Sequence, residues 1–285
     1  MNNKHFHCNF ACLIKTPIYV WTIAFVSVAL LYVIGLSFLT RGDVIGVTNT
    51  ITLENYARLA SPQYLRVLLN SLYLAFITTI LCLIIGYPFG YLMARLNPLS
   101  RSILMLLIIV PFWTNALIRI YGWRIMLLAN GPINTLLLHL NIIEKPLKLL
   151  YNDGSVLLGM VYALLPFMIL PTLTIVQKMD FSIVEAARDL GAHPLYAFFT
   201  ITIPNTFSGL MAGCVLVFIP SMGLFFISDL LGGSKKVLAG GLIRNLINSR
   251  DLPLAAALSV VLLAMTIVVI YFYRRVGKDH DLMMF

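Results

Sequence analysis

Charged residues are scarce in this sequence and make up 11% of its 285 positions. A water-soluble domain carries about 25% charged residues, so the shortfall excludes an ordinary soluble protein. Hydrophobic residues make up 60% of the chain, and the mean hydropathy is +0.93. Both values indicate an integral membrane protein. The net charge is +9, but no cluster of five or more Lys or Arg occurs, so the sequence does not predict nucleic-acid binding.

Cysteine is also rare, and the chain contains only Cys8, Cys12, Cys82 and Cys214. The last two lie inside apolar runs, which predicts small buried hydrophobic side chains and no disulfide framework. The first two share a polar N-terminal tail with His5 and His7. Because that tail has no second ligand pair, we expect neither a metal site nor a cofactor there.

Three motifs typical of enzymes are absent. The sequence contains no Gly-x-x-x-x-Gly-Lys-Ser/Thr loop, no His-Glu-x-x-His pair and no Gly-x-Ser-x-Gly elbow. These patterns hold nucleotide phosphates, a catalytic zinc ion and a nucleophilic serine, respectively. No apolar run contains paired carboxylates for acid–base chemistry. The chain is therefore not predicted to be an enzyme or to bind ATP, which leaves a passive channel, an ion-coupled secondary transporter or an energy-coupled permease.

Six apolar runs are long enough to cross a bilayer, which requires about 20 residues. They cover residues 18–39, 67–96, 103–120, 155–176, 207–228 and 254–273. Prolines inside these runs are candidate bends and stand at positions 88, 111, 166, 171 and 220. We therefore predict an all-α, polytopic membrane protein with six transmembrane helices.

The runs divide the chain into a tail at 1–17, a first transmembrane helix at 18–39, a core of five transmembrane helices at 66–274 and a tail at 275–285. Residues 133–140 are too few to cross a bilayer and are predicted to form an interfacial helix. Residues 229–251 are predicted to form a polar loop. In the second run, Gly86 is expected to let a neighbouring helix approach closely.

An even number of spans places both termini on the same side of the membrane. That side would also hold the turn at 95–101 and the stretch at 178–204, and it carries nine of the 20 Lys and Arg residues. The count alone gives a weak orientation signal. Arg274, Arg275 and Lys278 directly follow the last span, where the positive-inside rule counts most, and they favour cytoplasmic termini.

Residues 178–204 separate the fourth and fifth spans and differ from them in composition. Ser182 followed by Glu185 is a capping-box pattern at a helix start, and Gly191 stands where a glycine would end that helix. His193-Pro194 predicts the start of a second helix, because proline is tolerated in the first turn. The first helix is too short to be stable alone in water, so we expect it to dock against another structure.

This stretch resembles the EAA loop of permease subunits in bacterial ABC importers. Glu185-Ala186-Ala187 is followed after three residues by Gly191 and, after nine more, by Ile201-x-Ile203-Pro204. The family pattern has Leu where Ile203 stands, which is a conservative difference. The resemblance implies an ABC type-1 permease fold, a cytoplasmic position for the loop at 178–204 and cytoplasmic termini.

Two further segments are similar to one branch of that family. Residues 110–123 (VPFWTNALIRIYGW) resemble the third-span signature of spermidine/putrescine permeases, and residues 223–233 (GLFFISDLLGG) resemble the end of their fifth span. The likeness extends from about residue 34 to the sixth span and is greatest to the first of the two permease subunits of that importer. It implies transport of polyamines across the cytoplasmic membrane of a bacterium.

The resemblance also implies partners, namely ABC ATPase subunits on the cytoplasmic side, a second homologous permease subunit, and a periplasmic or extracellular polyamine-binding protein. Coupling residues carried over from the motif are Glu185, Ala186, Ala187, Gly191, Ile201 and Pro204. In this role the two alanines would let the helix pack closely in a groove on the ATPase. Glu185 would cap the helix and reach Arg188, and Pro204 would end the second helix.

Substrate contacts are predicted from the chemistry of a flexible polycation, which needs carboxylates and aromatic faces along its path. The candidates are Asp229, Trp113, Tyr121 and Asn115. The alternative for Asp229 is a loop carboxylate paired with Lys235 or Lys236, and the alternative for the aromatic residues is an ordinary core or interface position. Arg119 is expected to extend outward to the membrane surface.

The loops opposite the cytoplasm are basic and could pair with acidic patches on a binding protein. The residues concerned are Arg41, Arg58, Lys145, Lys148, Lys235 and Lys236. Three alternatives to a polyamine permease stay open. A permease of the same fold for another small solute would keep the coupling loop, and an ion-coupled secondary transporter would require buried charge pairs and an inverted repeat, neither of which is evident. A purely structural subunit would show no effect of substrate on an associated ATPase.

Overall fold

The computed structural model describes residues 17–42, 47–233 and 237–281. These ranges are almost entirely helical. One antiparallel pair of short strands, β1 (Leu39–Thr40) and β2 (Thr48–Ile51), follows the first helix. The His and Cys residues of the N-terminal tail, and Lys235 and Lys236, lie outside the described ranges.

The helices follow in chain order. They are α1 (Pro17–Ser37), α2 (Glu54–Leu59), α3 (Pro62–Arg95), α4 (Pro98–Ile109), α5 (Ala116–Leu127), α6 (Pro132–His139), α7 (Asp153–Lys178), α8 (Ser182–Asp189), α9 (Pro194–Asn205), α10 (Phe207–Gly223), α11 (Phe225–Leu231), α12 (Ala239–Asn248) and α13 (Leu252–Asp281).

Four of these helices, α1, α3, α7 and the part of α13 up to Tyr273, are long and apolar enough to cross a membrane. Two further pairs pass the same test when each bent pair is counted as one span, which gives up to six spans. This number agrees with the six apolar runs of the sequence. The short helix α6 occupies the position predicted for an interfacial helix.

The third span was predicted to cover 103–120 with an interruption at Pro111, and the structure breaks it three residues later, at Thr114 and Asn115. Helix α4 continues into a 3-10 turn at Val110–Trp113 and ends there, because Thr114 adopts an extended conformation. Asn115 then starts α5 by accepting a hydrogen bond from the backbone N–H of Leu117 at 2.8 Å. The segments Pro98–Trp113 and Ala116–His139 meet at 96°.

The fifth apolar run is also divided. Helix α10 ends at Gly223, three residues after Pro220, and α11 begins after a break at Leu224. The prediction that residues 229–251 form a loop is wrong, because α11 extends to Leu231 and α12 occupies Ala239–Asn248. Leu246 of α12 is buried, so an apolar face, rather than overall hydrophobicity, stabilises this helix.

The chain divides into two compact units, Met1–Leu65 with Ile243–Ala264, and Arg66–Leu242 with Met265–Phe285. In the first unit, the carboxylate of Asp251 is buried and accepts a hydrogen bond from Arg58 at 2.9 Å. Arg41 lies 3.9 Å from the same oxygen and donates to the carbonyl of Ser249. This ion cluster joins three segments that are distant in sequence.

The second unit is built around α7, which has two glycine-containing faces packed against it. A Cβ atom at Gly86 of α3 would lie 2.8 Å from Met168 Cγ, and one at Gly90 would lie 3.0 Å from Thr172 Cβ. On α10, a Cβ at Gly213 would lie 2.7 Å from Met168 Sδ. Small residues spaced four apart let transmembrane helices pack backbone to backbone. The predicted close approach at Gly86 is thereby confirmed.

Candidate coupling segment and transport path

Helix α8 begins with a cap that the sequence did not predict. Phe181, not Ser182, is its N-cap residue, and its side chain forms no capping hydrogen bond. The Asp180 carboxylate instead accepts a hydrogen bond from the Ser182 backbone N–H at 2.9 Å. The predicted capping box between Ser182 and Glu185 is therefore wrong. Hydrogen bonds from Ser182 lower the pKa of Asp180 below its ordinary value, because they favour the charged carboxylate.

The C-terminal end of α8 is closed by Gly191, as predicted. Gly191 has φ of +90°. Its N–H donates to the carbonyl of Arg188, and the N–H of Ala192 donates to the carbonyl of Ala187. This pair of hydrogen bonds is the Schellman motif, which satisfies carbonyls that the helix end would leave unpaired. Helix α8 is therefore a short, stiff element with defined ends.

The two faces of α8 differ. Val184, Glu185 and Arg188 line a small cleft on the side of α3. On the opposite side, Ile183, Ala186 and Leu190 are exposed, and Leu190 retains 89% of its accessible surface. These three positions fall on one face because residues spaced by three and four share a helix face. We call Ile183, Ala186 and Leu190 the outer ridge. No residue in the described ranges packs over this apolar surface.

An aromatic cluster that the sequence did not predict joins the end of α3 to Phe181, which precedes α8, and to Phe198 of α9. The ring of Phe198 lies 5.5 Å from that of Tyr91 and 5.9 Å from that of Tyr87. The Arg95 guanidinium lies 5.7 Å from the ring centres of both Tyr91 and Phe181, within cation–π range. The four-residue spacing of positions 87, 91 and 95 on α3 is the signal that could have revealed this face.

Helix α9 carries the rest of the motif. His193 Nδ1 accepts a hydrogen bond from the Leu195 N–H, and Pro194 occupies the first turn, as predicted. A π-helical turn at Phe198–Thr202 contains Ile201 and precedes Pro204. Pro204 does not itself end the helix, which continues to Asn205 before a 70° bend leads into α10. The wider π turn accommodates a residue that cannot donate a backbone hydrogen bond.

The predicted substrate-path residues fall on two elements. Trp113 and Asn115 lie at the bend between α4 and α5, where Trp113 is 85% exposed and Asn115 serves as a helix cap, and Tyr121 lies within α5. Asp229 lies on α11 and is partly buried. A Cβ atom at Gly241 of α12 would lie 3.9 Å from Asp229 Oδ1. Asp229 therefore lies on a different element from the other three candidates, and the assignment of these four residues to a substrate path stays a prediction.

Arg119 does not extend outward as expected. Its guanidinium lies 4.8 Å from the ring centre of Phe112 and 5.9 Å from that of Tyr162. Its Nε atom is buried and has no hydrogen-bond partner. Trp123 stacks edge-on against Tyr162 at 5.5 Å. Arg119 therefore belongs to an aromatic cluster beside the broken third span.

Two of the basic residues expected to contact a binding protein are engaged within the chain. Arg41 and Arg58 both bind the Asp251 carboxylate. Partial burial disfavours the charged form of Arg58, but the hydrogen bond to Asp251 and its negative charge outweigh that effect and raise the pKa of Arg58. These two arginines therefore stabilise the first unit. Among the described residues, the prediction of contacts with a binding protein then applies to Lys145 and Lys148.

Known proteins match this chain over most of its length. Residues 86–279 match the family model described as binding-protein-dependent transport system inner membrane component. The chain is 46% identical over 259 residues to the spermidine/putrescine transport system permease protein PotB of Salmonella typhimurium, with 90% of each protein covered. It is 43% identical to the PotB protein of Haemophilus influenzae, over 98% of this chain and 96% of that protein.

The fold is also found in a solved structure. A bacterial ABC transporter that imports the acidic polysaccharide alginate superimposes with a TM-score of 0.77 over 97% of this chain and 96% of that chain, at 14% identity. This match confirms the all-α ABC type-1 permease fold, and the family match confirms a multi-pass inner-membrane transport component. The chain belongs to the family of inner-membrane components of binding-protein-dependent transport systems.

Proposed function

We propose that this protein is a membrane-spanning permease subunit of an ATP-driven importer for spermidine and putrescine. The observation that carries the transport role is the outer ridge of α8, an exposed apolar surface on a helix capped at both ends. The 46% identity to a spermidine/putrescine permease supports the substrate. Both termini and the coupling loop at 178–204 lie on the cytoplasmic side, and the core of five transmembrane helices covers 66–274.

In this proposal the outer ridge docks on an ABC ATPase. Large side chains would hold the partner away, and Ala186 leaves space between Ile183 and Leu190 for close packing. The Asp180 cap and the Gly191 turn keep α8 stiff, so it transmits displacement instead of absorbing it. The rings of Phe181 and Phe198 then pass that displacement to Tyr91 at the end of α3. Ala187, Ile201 and Pro204 are half-buried and support this segment from inside, and the exposed Glu185 lines the cleft on the side of α3.

The polyamine path is proposed to run beside the broken third span. Trp113 and Tyr121 offer aromatic faces for ammonium groups, Asn115 supplies a polar group, and Asp229 supplies a carboxylate. The remaining partners are a second homologous permease subunit and a polyamine-binding protein outside the membrane. Because the binding protein would select the substrate, the path itself needs only weak contacts that release the polyamine.

The test is uptake of labelled spermidine into proteoliposomes that contain the permease pair and its ATPase, with the binding protein outside. Accumulation that requires both ATP and the binding protein supports the proposal. Accumulation driven by a proton or sodium gradient without ATP would identify a secondary transporter instead. ATP-dependent uptake of another solute, with no competition from spermidine or putrescine, would retain the importer and reject the polyamine.

A further inference from the structure

The cleft behind α8 has polar groups that the coupling role does not use. It has a volume of about 130 Å³ and lies between the end of α3, α8 and α9. Arg95, Arg188, Glu185, Tyr91 and Thr202 contribute to its lining. A phosphate group has five heavy atoms and fits into this volume.

The charges of the cleft are unbalanced. Arg95 and Arg188 form no ion pair with any carboxylate in the described ranges, although Glu185 lines the same cleft. Two arginines and one carboxylate leave a net positive charge. Planar guanidinium groups that converge on one space are the side chains that bind phosphate oxygens most effectively. The Glu185 carboxylate disfavours a bare anion and favours one that also carries hydrogen-bond donors.

Thr202 supplies an independent indication of a ligand. This residue is 1% exposed, and its Oγ1 atom is buried without a hydrogen-bond partner. Its backbone carbonyl is satisfied by the Thr206 hydroxyl at 2.7 Å, so only the Thr202 side chain is unpaired. Buried hydroxyl groups in native proteins almost always have a partner. Thr202 lines the same cleft as Arg95 and Arg188, neither of which pairs with a carboxylate in the described ranges, so its hydroxyl is available to a bound oxygen.

The position of the cleft in the membrane indicates where such a ligand would come from. Arg95 is the last residue of the long apolar helix α3, and α8 follows α7, whose last residue is Lys178. The cleft therefore lies at the end of two membrane spans, at the depth of lipid headgroups. Basic pockets at this depth on the cytoplasmic side bind phosphate-bearing headgroups.

We propose that the cleft behind α8 binds a phosphate group, supplied by a phospholipid headgroup or by soluble phosphate. Arg188 and Arg95 contact the phosphate oxygens, and Thr202 Oγ1 donates a hydrogen bond to one of them. Glu185 accepts hydrogen bonds from hydroxyl or ammonium groups on the same molecule. Because Arg188 belongs to α8 and Arg95 to α3, an occupied cleft holds the two helices together, on the face of α8 opposite the outer ridge.

The experiment measures thermal unfolding of the full chain in dodecyl maltoside micelles. Three probes are compared: dioleoyl phosphatidylglycerol, dioleoylglycerol with the same acyl chains and no phosphate, and inorganic phosphate. Variants are Arg188→Gln, which removes one charge, and Thr202→Val, which removes the hydroxyl with little change in shape. Lys178→Gln is the control, because it removes an exposed charge at the same membrane face outside the cleft.

We expect phosphatidylglycerol to raise the unfolding midpoint of the wild type and of Lys178→Gln by several degrees. Arg188→Gln should lose most of this shift. Thr202→Val should be at least as stable as the wild type without lipid, since it removes an unpaired hydroxyl, and yet respond less to phosphatidylglycerol. An equal shift with inorganic phosphate would assign the site to soluble phosphate, and no shift with it would assign the site to lipid.

Equal stabilisation of the wild type and Arg188→Gln by phosphatidylglycerol would contradict the proposal. Equal stabilisation of the wild type by dioleoylglycerol would contradict it too, because acyl chains alone would then explain the effect. The measurement uses neither ATP nor a polyamine. Its failure is therefore distinguishable from failure of the proposed transport function.

Discussion

At Gly191 the backbone has φ of +90°, and no atom lies within 4 Å of the position where a Cβ would stand. Space is therefore available for a side chain, but the backbone conformation disfavours one. The turn at this residue ends α8 through two hydrogen bonds, from the N–H groups of Gly191 and Ala192 to the carbonyls of Arg188 and Ala187. Backbone geometry, not crowding, explains why glycine is required here.

We predict that Gly191→Ala destabilises the end of α8 by about 1–2 kcal/mol, since an L-residue in this region is strained by that amount. Hydrogen–deuterium exchange of the peptide that covers 182–192 measures the effect. Gly122→Ala is the matched control, because Gly122 also has open space around it but lies within α5. Unchanged protection against exchange in Gly191→Ala would show that the turn at Gly191 does not stabilise the end of α8.

The N-terminal cap of α8 should be sensitive to pH. Because the pKa of Asp180 is lower in the folded state, its contribution is fully present above the pKa of the unfolded chain and is lost as pH falls through the lowered value. Asp180→Ala should increase amide exchange at Ser182 at neutral pH, while Asp180→Asn, which can still accept the hydrogen bond, should change it little. Asp189→Ala, at the opposite end of α8, is the control. An equal increase in amide exchange at Ser182 in Asp180→Ala and Asp189→Ala would contradict the capping role of Asp180.

The packing of α7 depends on the small residues of neighbouring helices that face it. At Gly90, a Cβ atom would lie 3.0 Å from the Thr172 side chain and 3.2 Å from the Ile169 carbonyl oxygen. The carbonyl belongs to a helix backbone and cannot move aside without displacing α7. The close approach of α3 and α7 therefore requires glycine at this position.

We predict that Gly90→Val lowers the free energy of unfolding by about 1–3 kcal/mol through overpacking. Gly122→Val is the control, because it places the same side chain in a helix with open space around it. Thermal unfolding in detergent compares the two variants. Similar unfolding midpoints for both would mean that the helices separate at little cost and that glycine is not required.

The ion cluster around Asp251 should respond asymmetrically to substitution. The Asp251 side chain is 2% exposed, whereas that of Arg58 is 39% exposed and can reach water. Arg58→Met leaves a buried carboxylate with only Arg41 near it, so we expect a loss of about 1–3 kcal/mol after allowance for solvent screening. Asp251→Ala should cost less, because it leaves two arginines that solvent can reach. Denaturant unfolding measures both variants, and Arg66→Met, which changes an exposed arginine, is the control. A larger loss of unfolding free energy in Asp251→Ala than in Arg58→Met would contradict this prediction.

For the whole molecule, the sequence predicted features that depend on composition or on one residue. Six apolar runs gave the number of spans, and Gly191 and His193-Pro194 gave the boundaries of the coupling helices. Features that depend on contacts across the chain were missed. Helix α12 is stabilised by burying one face, and rings on α3 contact Phe181 before α8 and Phe198 on α9. The direction of Arg119 depends on Phe112 and Tyr162, whose positions no local pattern specifies.

The central claim is that the outer ridge of α8 couples ATP hydrolysis to polyamine uptake. The most direct measurement compares ATP-driven uptake of labelled spermidine by the reconstituted importer containing Leu190→Glu or Asp189→Asn. Leu190 is exposed, so the glutamate should leave the fold intact but place a charge in an apolar interface. We predict at least a tenfold loss of uptake per ATP hydrolysed in Leu190→Glu and little change in Asp189→Asn. Undiminished uptake by Leu190→Glu would contradict the account.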